Sequence, residues 1–191
     1  DAGATQAYSI TGTDLVIDAS TGAITFAANP DFETTSSYTA TVTVTDGTNE
    51  VEQEITVNVT DVNESPSFTS DALFTAAENQ LTIGDATATD PDADATLAYS
   101  ISGDELVIDA STGVITFAAN PDFETTSSYT ATVTVTDGTN PVTQEITVTV
   151  SDVNESPSFT SAASFTAPEN QLAIGTAAAT DPDADATQEY S

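Results

Sequence analysis

Apolar side chains alternate with threonine along several short stretches of the chain, with a period of two residues. In Tyr129–Thr136 every second residue is apolar and the residues between are threonine, and Ile146–Val150 has the same pattern. Such alternation predicts strands with one buried face. Residues 137–140, Asp-Gly-Thr-Asn, have the composition of a turn, so the two strands are predicted to form a hairpin.

Five further apolar or β-branched stretches precede this hairpin, and no stretch shows helical periodicity. They are the regions around Phe74–Ala77 and Ile83–Thr89, followed by Tyr99–Ile101, Leu106–Ile108 and Val114–Phe117. Seven short strands separated by turn residues predict an all-β fold, a seven-stranded β-sandwich with Greek-key connections.

The sequence that carries these predicted strands is repeated within the chain. Leu15–Asn49 recurs as Leu106–Asn140 with Val114 in place of Ala23, an offset of 91 residues. We therefore expect tandem sandwich repeats of about 91 residues. Residues 1–64 form a repeat that lacks its first two strands, 65–155 form a complete repeat, and 156–191 hold the first two strands of another. The chain does not begin with Met and has no signal-peptide pattern, so we expect a piece of a longer protein or a processed product.

The charge of the chain is extreme. It has 31 Asp and Glu residues, no Lys, Arg, His or Cys, and a net charge of −31. Salt bridges between side chains and disulfides are therefore impossible. A nucleic-acid partner is not expected, because phosphate binding depends on Lys and Arg, and no apolar run is long enough for membrane insertion. High charge with few aromatic residues is also typical of disorder, but regular alternation of apolar positions argues against it.

Four groups of acidic residues in each repeat lie next to turns, whereas most outward positions of the strands hold threonine. In the complete repeat they lie in Glu78-Asn79, Asp90–Asp94, Asp122–Glu124 and Asp152–Glu155. Two carboxylates 4 Å apart in water repel by roughly 1 kcal/mol, and the chain has no cation of its own to offset this. Ca²⁺ prefers oxygen ligands of these types, so the clusters predict metal binding.

The order of these motifs resembles a cadherin repeat. Glu78-Asn79 is similar to the family's first motif, Asp90-Pro91-Asp92 to its second, and Asp122-Phe123-Glu124 to its third. Asp137 follows a Tyr-led strand, and Asp152–Pro157 is similar to the motif that links successive repeats; this linker also occurs as Asp61–Pro66. The resemblance covers the complete repeat and both fragments. It implies Ca²⁺ ions between successive domains that stiffen the array.

The resemblance also implies two sets of Ca²⁺ ligands, one for each joint between repeats. The first set is Asp31, Glu33, Asp61, Asn63, Glu64, Asp90, Asp92 and Asp137. The second set is Glu78, Asp122, Glu124, Asp152, Asn154, Glu155, Asp181 and Asp183.

The sequence departs from the family at three points. The linker has Glu-Ser where the family usually has Asp-Asn, and the third motif has Phe at its centre in place of Arg. The glutamate equivalent to Glu78 is missing from the first repeat, so the first joint is one ligand short unless another molecule supplies it.

Nearly identical repeats without cysteine or basic residues resemble the cadherin-like extender domains of giant bacterial surface adhesins and matrix filaments. This resemblance implies a non-catalytic, extracellular rod or fibre stiffened by calcium, whose neighbouring copies join end to end. Five strands in the first fragment and two in the last make one sandwich, so one copy could complete the next by strand complementation. The other possibility is that residues 1–191 are a window of a continuous array.

Two other classes of function remain open. A binding module for a sugar or protein ligand would need a repeat that differs from its neighbours, with exposed aromatic residues. An enzyme could use only a carboxylate pair such as Asp122 and Glu124, and repetition of this pair as Asp31 and Glu33 argues against a unique active site.

Overall fold

The computed structural model describes residues 5–183 and residue 189. These residues form β-strands, turns and irregular segments, with no helix among them. The chain divides into two compact units. The first unit comprises Asp1–Glu64 with Pro91–Ala95, and the second comprises Ser65–Asp90 with Thr96–Ser191.

The first unit contains five strands in two small antiparallel sheets. The strands are β1 (Ala7–Ile10), β2 (Leu15–Ile17), β3 (Ile24–Phe26), β4 (Ser37–Thr45) and β5 (Glu50–Asn58). One sheet has the order β1-β4-β5 and the other pairs β2 with β3. Strand β5 is therefore at an edge of its sheet in the described part of the chain.

The second unit contains the predicted β-sandwich. Its strands are β6 (Ser67–Phe68), β7 (Leu73–Ala77), β8 (Thr82–Asp85), β9 (Ala88–Thr89), β10 (Ala98–Ile101), β11 (Leu106–Ile108), β12 (Val114–Phe117), β13 (Ser128–Thr136) and β14 (Pro141–Ser151). The sandwich has two larger sheets: one has the order β10-β13-β14-β7, in which β7 runs parallel to β14, and the second has the order β11-β12-β8. Strands β6 and β9 form a separate two-stranded sheet.

The two larger sheets of the second unit share one hydrophobic core. Val133, Ile146 and Val148 from the first sheet are fully buried, as is Ile115 from the second. These are the inward positions of the predicted alternation, and the threonines between them face outward or are half-buried. The all-β sandwich that the pattern predicts is confirmed.

The strand predicted around Ile83–Thr89 is broken in two, as β8 and β9, and the short strand β6, which the pattern did not predict, precedes β7. Strand β6 pairs with β9, whereas β7 leaves that pairing to join β14 and β8 joins β12. The close approach of chain segments around β8 and β12 requires a glycine. Gly113 has φ +75°, and a side chain there would collide with the carbonyl oxygen of Ala86, whose N–H donates to the Gly113 carbonyl at 2.9 Å.

Identical sequences are buried differently in the two units. Strands β4 and β13 have the same nine residues, yet Val42 and Val44 are half-buried whereas Val133 and Val135 are fully buried. Ile24 and its counterpart Ile115 differ in the same way: the side chain of Ile24 is 40% exposed, whereas that of Ile115 is fully buried. The first unit has no strands equivalent to β7 and β8 among its described residues, so its core is covered on fewer sides.

The chain after residue 155 repeats only part of the strand pattern. Strand β15 (Ser158–Phe159) pairs with β16 (Ala179–Thr180), as β6 pairs with β9. Residues 160–178 between them contain the counterparts of β7 and β8 but form no regular strand. Strands β7 and β8 exist through their pairing with β14 and β12, and no described segment pairs in this way with residues 160–178.

Candidate metal centre

Four carboxylates of the first unit lie close together beyond the end of β5. Glu33, Asp61, Glu64 and Asp92 each place an oxygen within 4.8 Å of an oxygen of every other member, and we call them cluster 1. Asp61 and Glu64 lie in the linker after β5, and Asp92 lies in the loop 91–95. The Glu64 N–H donates to Asp92 Oδ2 at 3.0 Å, which holds the linker to this loop.

The second unit repeats this arrangement at its own linker. Glu78, Glu124, Asp152 and Glu155 lie equally close together and are called cluster 2. The last three are the counterparts, 91 residues later, of Glu33, Asp61 and Glu64. The Glu155 N–H donates to Asp183 Oδ2 at 3.0 Å, as Glu64 does to Asp92.

Glu78 joins the strands of the second unit to the linker. Its side chain is only 3% exposed, which is unusual for an acid with no basic partner. Its two carboxylate oxygens accept hydrogen bonds from the Phe123 N–H at 3.0 Å and the Val153 N–H at 2.8 Å. These bonds satisfy the buried carboxylate and fix the segments that carry Glu124, Asp152 and Glu155.

Asn79 is a positioning residue that the sequence analysis did not include in the site. It has a left-handed backbone, φ 61°, and its side-chain Nδ2 donates to Glu155 Oε1 at 2.6 Å. Its N–H donates to the Pro121 carbonyl at 3.1 Å. The available signal was its place beside Glu78 in the first motif, because Asn tolerates left-handed backbone better than most residues.

The environment raises the pKa of several carboxyls in both clusters. Burial raises the pKa of Glu155, opposed by the Asn79 hydrogen bond and reinforced by the charges of Glu78, Asp183 and Glu124. Burial likewise raises the pKa of Glu64, and the negative charges of Glu33, Asp92 and Asp61 raise it further. Both shifts mean that the ionised clusters are unfavourable until a cation neutralises them.

Two further glutamates respond to the same charges. The backbone N–H of Glu33 lowers the pKa of its own carboxyl, but desolvation and the charges of Asp61 and Asp31 outweigh this and the net pKa is raised. The backbone N–H of Glu124 likewise lowers the pKa of its own carboxyl. Desolvation and the charges of Glu78, Asp152 and Asp122 outweigh this, so the net pKa of Glu124 is raised. Since the chain has no Lys, Arg or His, no side chain can neutralise these carboxylates, and any cation that does so would come from solution.

Two buried oxygen atoms, one in cluster 2 and one on the neighbouring Asp183, indicate whether a metal ion would fit the site. Glu155 Oε2 and Asp183 Oδ1 are buried and have no hydrogen-bond partner within the described residues. Buried acceptors of this kind are costly unless a donor or a cation satisfies them. Every candidate ligand is an oxygen, which suits Ca²⁺ and does not suit metals that prefer sulfur or imidazole. The residues present therefore fit calcium.

The remaining predicted ligands have other visible roles. Asp31 accepts hydrogen bonds from Thr34, and Asp122 Oδ1 accepts one from the Thr125 N–H, so both cap the turn that carries the following glutamate. The Thr34 bonds also lower the pKa of Asp31. Asn63 and Asn154 each donate from Nδ2 to the next carbonyl, at 2.7 Å.

Asp90, Asp137 and Asp181 are the other predicted ligands outside the two clusters. Asp137 Oδ1 accepts hydrogen bonds from the Thr139 and Asn140 N–H groups in the β13–β14 turn, both at 2.6 Å. Asp181 Oδ1 accepts one from the Asp183 N–H at 3.2 Å. Asp90 follows β9, and its Oδ2 is buried. Both predicted sets of ligands stay predictions, with clusters 1 and 2 at their centres.

Other acidic residues stabilise turns away from the clusters. Asp18 and Asp109 follow β2 and β11, and each accepts hydrogen bonds from backbone N–H groups two and three residues later. These N–H donors lower the pKa of both carboxyls, and at Asp18 the hydroxyl groups of Ser20 and Thr21 lower the pKa further. Asp46 in the β4–β5 turn has its pKa lowered by the Asn49 and Thr48 N–H groups in the same way.

Comparison with known proteins gives one family. Residues 73–151 match the family model "Cadherin domain". A segment of 132 residues is 39% identical to mouse Protocadherin Fat 4, which covers 62% of this chain and 3% of that protein. A segment of 187 residues is 33% identical to the Drosophila protocadherin-like wing polarity protein stan, covering 85% of this chain and 5% of that protein. The chain thus spans a small fraction of the curated relatives it matches.

Solved structures show the same fold at lower identity. Human CDH23 EC21-23 superposes with a TM-score of 0.70 at 23% identity, covering 95% of this chain and 70% of that one. Mouse Cadherin-23 EC22-24 gives 0.64 at 24% identity, covering 96% and 68%. The extracellular cadherin domains 3–6 of Protocadherin Gamma B2 give 0.65 at 19% identity, covering 94% and 51%. Within the described residues there is no helix that is both long and apolar enough to span a membrane.

Proposed function

We propose that residues 73–151, which match the family model "Cadherin domain", form a cadherin domain, and that the chain is a calcium-rigidified structural segment of an extracellular rod or fibre. The nearly identical repeats and the absence of basic residues and cysteine support an extender of a giant bacterial surface adhesin or a matrix filament. The function is mechanical and non-catalytic: the repeats set distance and stiffness, and copies join end to end.

One observation carries this proposal. Cluster 2 brings four carboxylates within 4.8 Å of one another in a chain that has no positive side chain to neutralise them. The unpartnered buried oxygens of Glu155 and Asp183 extend the same acidic surface. Carboxylates held this closely repel one another, so a bound cation would stabilise the linker in this arrangement.

The residues around cluster 2 show how a cation would stiffen the chain. Glu78 and Glu124 belong to the sandwich, Asp152 and Glu155 to the linker, and Asp183 to the loop beyond it. Hydrogen bonds from Val153 to Glu78 and from Glu155 to Asp183 already place the linker between these two parts. Ca²⁺, when bound, supplies the positive charge that turns mutual repulsion of these carboxylates into attraction to a shared ion.

An extracellular location is consistent with the expected affinity. Extracellular calcium modules bind with dissociation constants of about 10⁻⁴–10⁻³ M, which matches millimolar calcium outside cells. Stability is then approximately a sum of terms from each repeat and each joint, because each repeat touches only its neighbours. A rod built in this way is stiff where calcium is abundant and loosens where it is scarce.

The proposal is tested by calcium titration calorimetry on the 191-residue chain and two variants that each remove one negative charge. Glu124→Gln removes an exposed member of cluster 2, and Glu145→Gln removes an exposed acid on β14 outside both clusters. We expect Glu124→Gln to weaken binding about tenfold or more, since charge count sets the affinity of such sites. The Glu145→Gln isotherm should match the parent; equal weakening by both variants would mean that calcium binds only as a diffuse counterion.

A further inference from the structure

An amide side chain holds one of the four carboxylates of cluster 2. Asn79 Nδ2 donates to Glu155 Oε1 at 2.6 Å, although the two residues are 76 positions apart in the chain. Hydrogen bonds to an ionised carboxylate are shorter and stronger than those between neutral groups, and this bond is short even for that class. It therefore ties a linker carboxylate to the end of β7.

The two oxygens of the Glu155 carboxylate lie in different surroundings. Oε1 accepts the Asn79 bond, whereas Oε2 is buried and has no hydrogen-bond partner among the described residues. A buried acceptor without a donor is costly unless a cation satisfies it. Of the two oxygens, Oε2 is therefore the one left for an ion that binds in cluster 2.

The position of the Asn79 amide is fixed by its neighbours in the chain and by its own backbone. Glu78, directly before it, is buried and accepts two backbone hydrogen bonds. The Asn79 N–H donates to the Pro121 carbonyl at 3.1 Å. Its φ of 61° is left-handed, a conformation that Asn adopts more readily than most residues. The donor thus reaches Glu155 from a residue that is anchored to the sandwich.

Glu155 is also held through its backbone, by a different segment. Its N–H donates to Asp183 Oδ2 at 3.0 Å, while Asp183 Oδ1 is buried and has no partner in the described part of the chain. The sandwich thus fixes the side chain of Glu155, and the loop beyond the linker fixes its backbone. The oxygens that this network leaves unbonded are Glu155 Oε2 and Asp183 Oδ1.

The length of the Glu155 side chain explains why a positioning group matters at this residue. Asp152 and Glu155 are the two linker members of cluster 2, and Glu155 has one more rotatable bond. Fixing a longer side chain costs more conformational entropy. A hydrogen bond that fixes the carboxylate before an ion arrives removes part of this cost from the binding step, which increases affinity.

We infer that Asn79 raises the calcium affinity of cluster 2 through Glu155, because its amide holds Oε1 and leaves Oε2 to the ion. The inference rests on the proposed function, and it assigns Asn79 no contact with the ion. Because Asn79 acts through Glu155, its effect on affinity depends on a carboxylate that the amide can reach. A neutral side chain outside the acidic cluster then sets part of the affinity.

Calcium titration calorimetry of a double-mutant cycle in the 191-residue chain tests the inference. Asn79→Gly removes the amide but keeps the N–H that donates to Pro121, and glycine adopts the left-handed backbone without strain. Glu155→Asp keeps the charge, so binding stays measurable, but the carboxylate is one methylene shorter and is withdrawn from the amide.

The expected effects differ between the two backgrounds. Asn79→Gly should weaken calcium binding by the parent about tenfold, the low end of the effects of groups that orient metal ligands. In the Glu155→Asp background the same change should weaken binding less than about twofold, because the bond that it removes is no longer made. A purely structural role of Asn79 would give the same loss in both backgrounds.

Asn120→Gly is the matched control for the substitution. Asn120 is exposed and lies outside both clusters, and it undergoes the same chemical change as Asn79. It should bind calcium like the parent, which would show that an added glycine does not by itself loosen the site. Denaturant unfolding of every variant in chelator verifies that the second unit is folded before calcium is added.

The possible failures can be told apart. Equal weakening by Asn79→Gly in the parent and Glu155→Asp backgrounds would overturn the inference, because Asn79 would then act independently of Glu155. Equal calcium affinities of Asn79→Gly and the parent would overturn it as well, and the proposed function would stand. If the parent binds no calcium, the inference and the proposed function fail together.

Discussion

At the scale of single residues, the molecule places its acids in two environments with opposite effects. Turn residues such as Asp18 and Asp109 accept backbone N–H groups, which lower the pKa of their carboxyls. Glu64 and Glu155 lie beside other carboxylates and are partly desolvated, which raises the pKa of their carboxyls. The first environment stabilises the folded chain when its acids are ionised, and the second destabilises it until a cation binds.

This contrast predicts the pH dependence of the calcium-free protein. The folded pKa of Glu155 is raised, so its contribution to stability is complete below the unfolded pKa and is lost as pH rises through the folded pKa. In chelator, Glu155→Gln should therefore lose less stability than the parent between about pH 4 and pH 7. Denaturant unfolding at several pH values measures the difference.

Glu145→Gln is the control for this prediction because Glu145 is exposed on β14 and outside both clusters. Turn aspartates lose their contribution as pH falls, but they are the same in all three proteins and cancel in the comparison. If the Glu155→Gln profile runs parallel to that of Glu145→Gln, cluster 2 does not strain the calcium-free fold.

At the scale of strands, the environment decides how much each repeated sequence contributes. Val133 on β13 is fully buried, and Val42 at the same position of the identical strand β4 is only half-buried. Removing two methyl groups from a fully buried site costs roughly 2 kcal/mol. The half-buried site should lose about half of this.

Val133→Ala and Val42→Ala therefore form a matched pair with one chemical change. Hydrogen exchange of peptides from each unit, at a concentration where the chain is monomeric, reports the opening free energy of each unit separately. We expect the larger loss in the second unit for Val133→Ala. Equal losses would mean that β4 is buried in solution as deeply as β13.

The strands that could be predicted are those whose signal is local. Alternation in Tyr129–Thr136 and a turn at 137–140 predict β13 and β14, and the structure confirms both. The break between β8 and β9 could not be predicted, because it depends on which strand each half joins. Residues 164–176 make the same point: their sequence matches that of β7 and β8, but a strand needs a partner and none is paired with them here.

The candidate site was predictable to a similar extent. Motif order brought Glu78, Glu124, Asp152 and Glu155 into one predicted ligand set, and the structure places their carboxylates together. Burial of Glu78 and the bond from Asn79 to Glu155 have no local signal, because both depend on contacts between residues about 75 positions apart.

At the scale of the whole molecule, the charge of −31 dominates the account. No internal cation offsets it, so the stability of the chain depends on ions from solution. With free calcium at about 1–10 times the dissociation constant, as expected for millimolar calcium, each site adds about 0.4–1.4 kcal/mol to the folded state. Several sites would then make calcium supply an important control of stability, as the proposed extracellular function requires.

The most direct measurement is a thermal melt of the 191-residue chain in calcium, in magnesium and in chelator, at fixed ionic strength. We predict that millimolar calcium raises the midpoint by about 1–6 °C for each bound ion, because the ion binds only the folded clusters. Magnesium should give a much smaller rise, since it requires near-octahedral geometry and dehydrates reluctantly. Equal midpoints in calcium and chelator would contradict the account and show that both clusters are a solvated acidic surface.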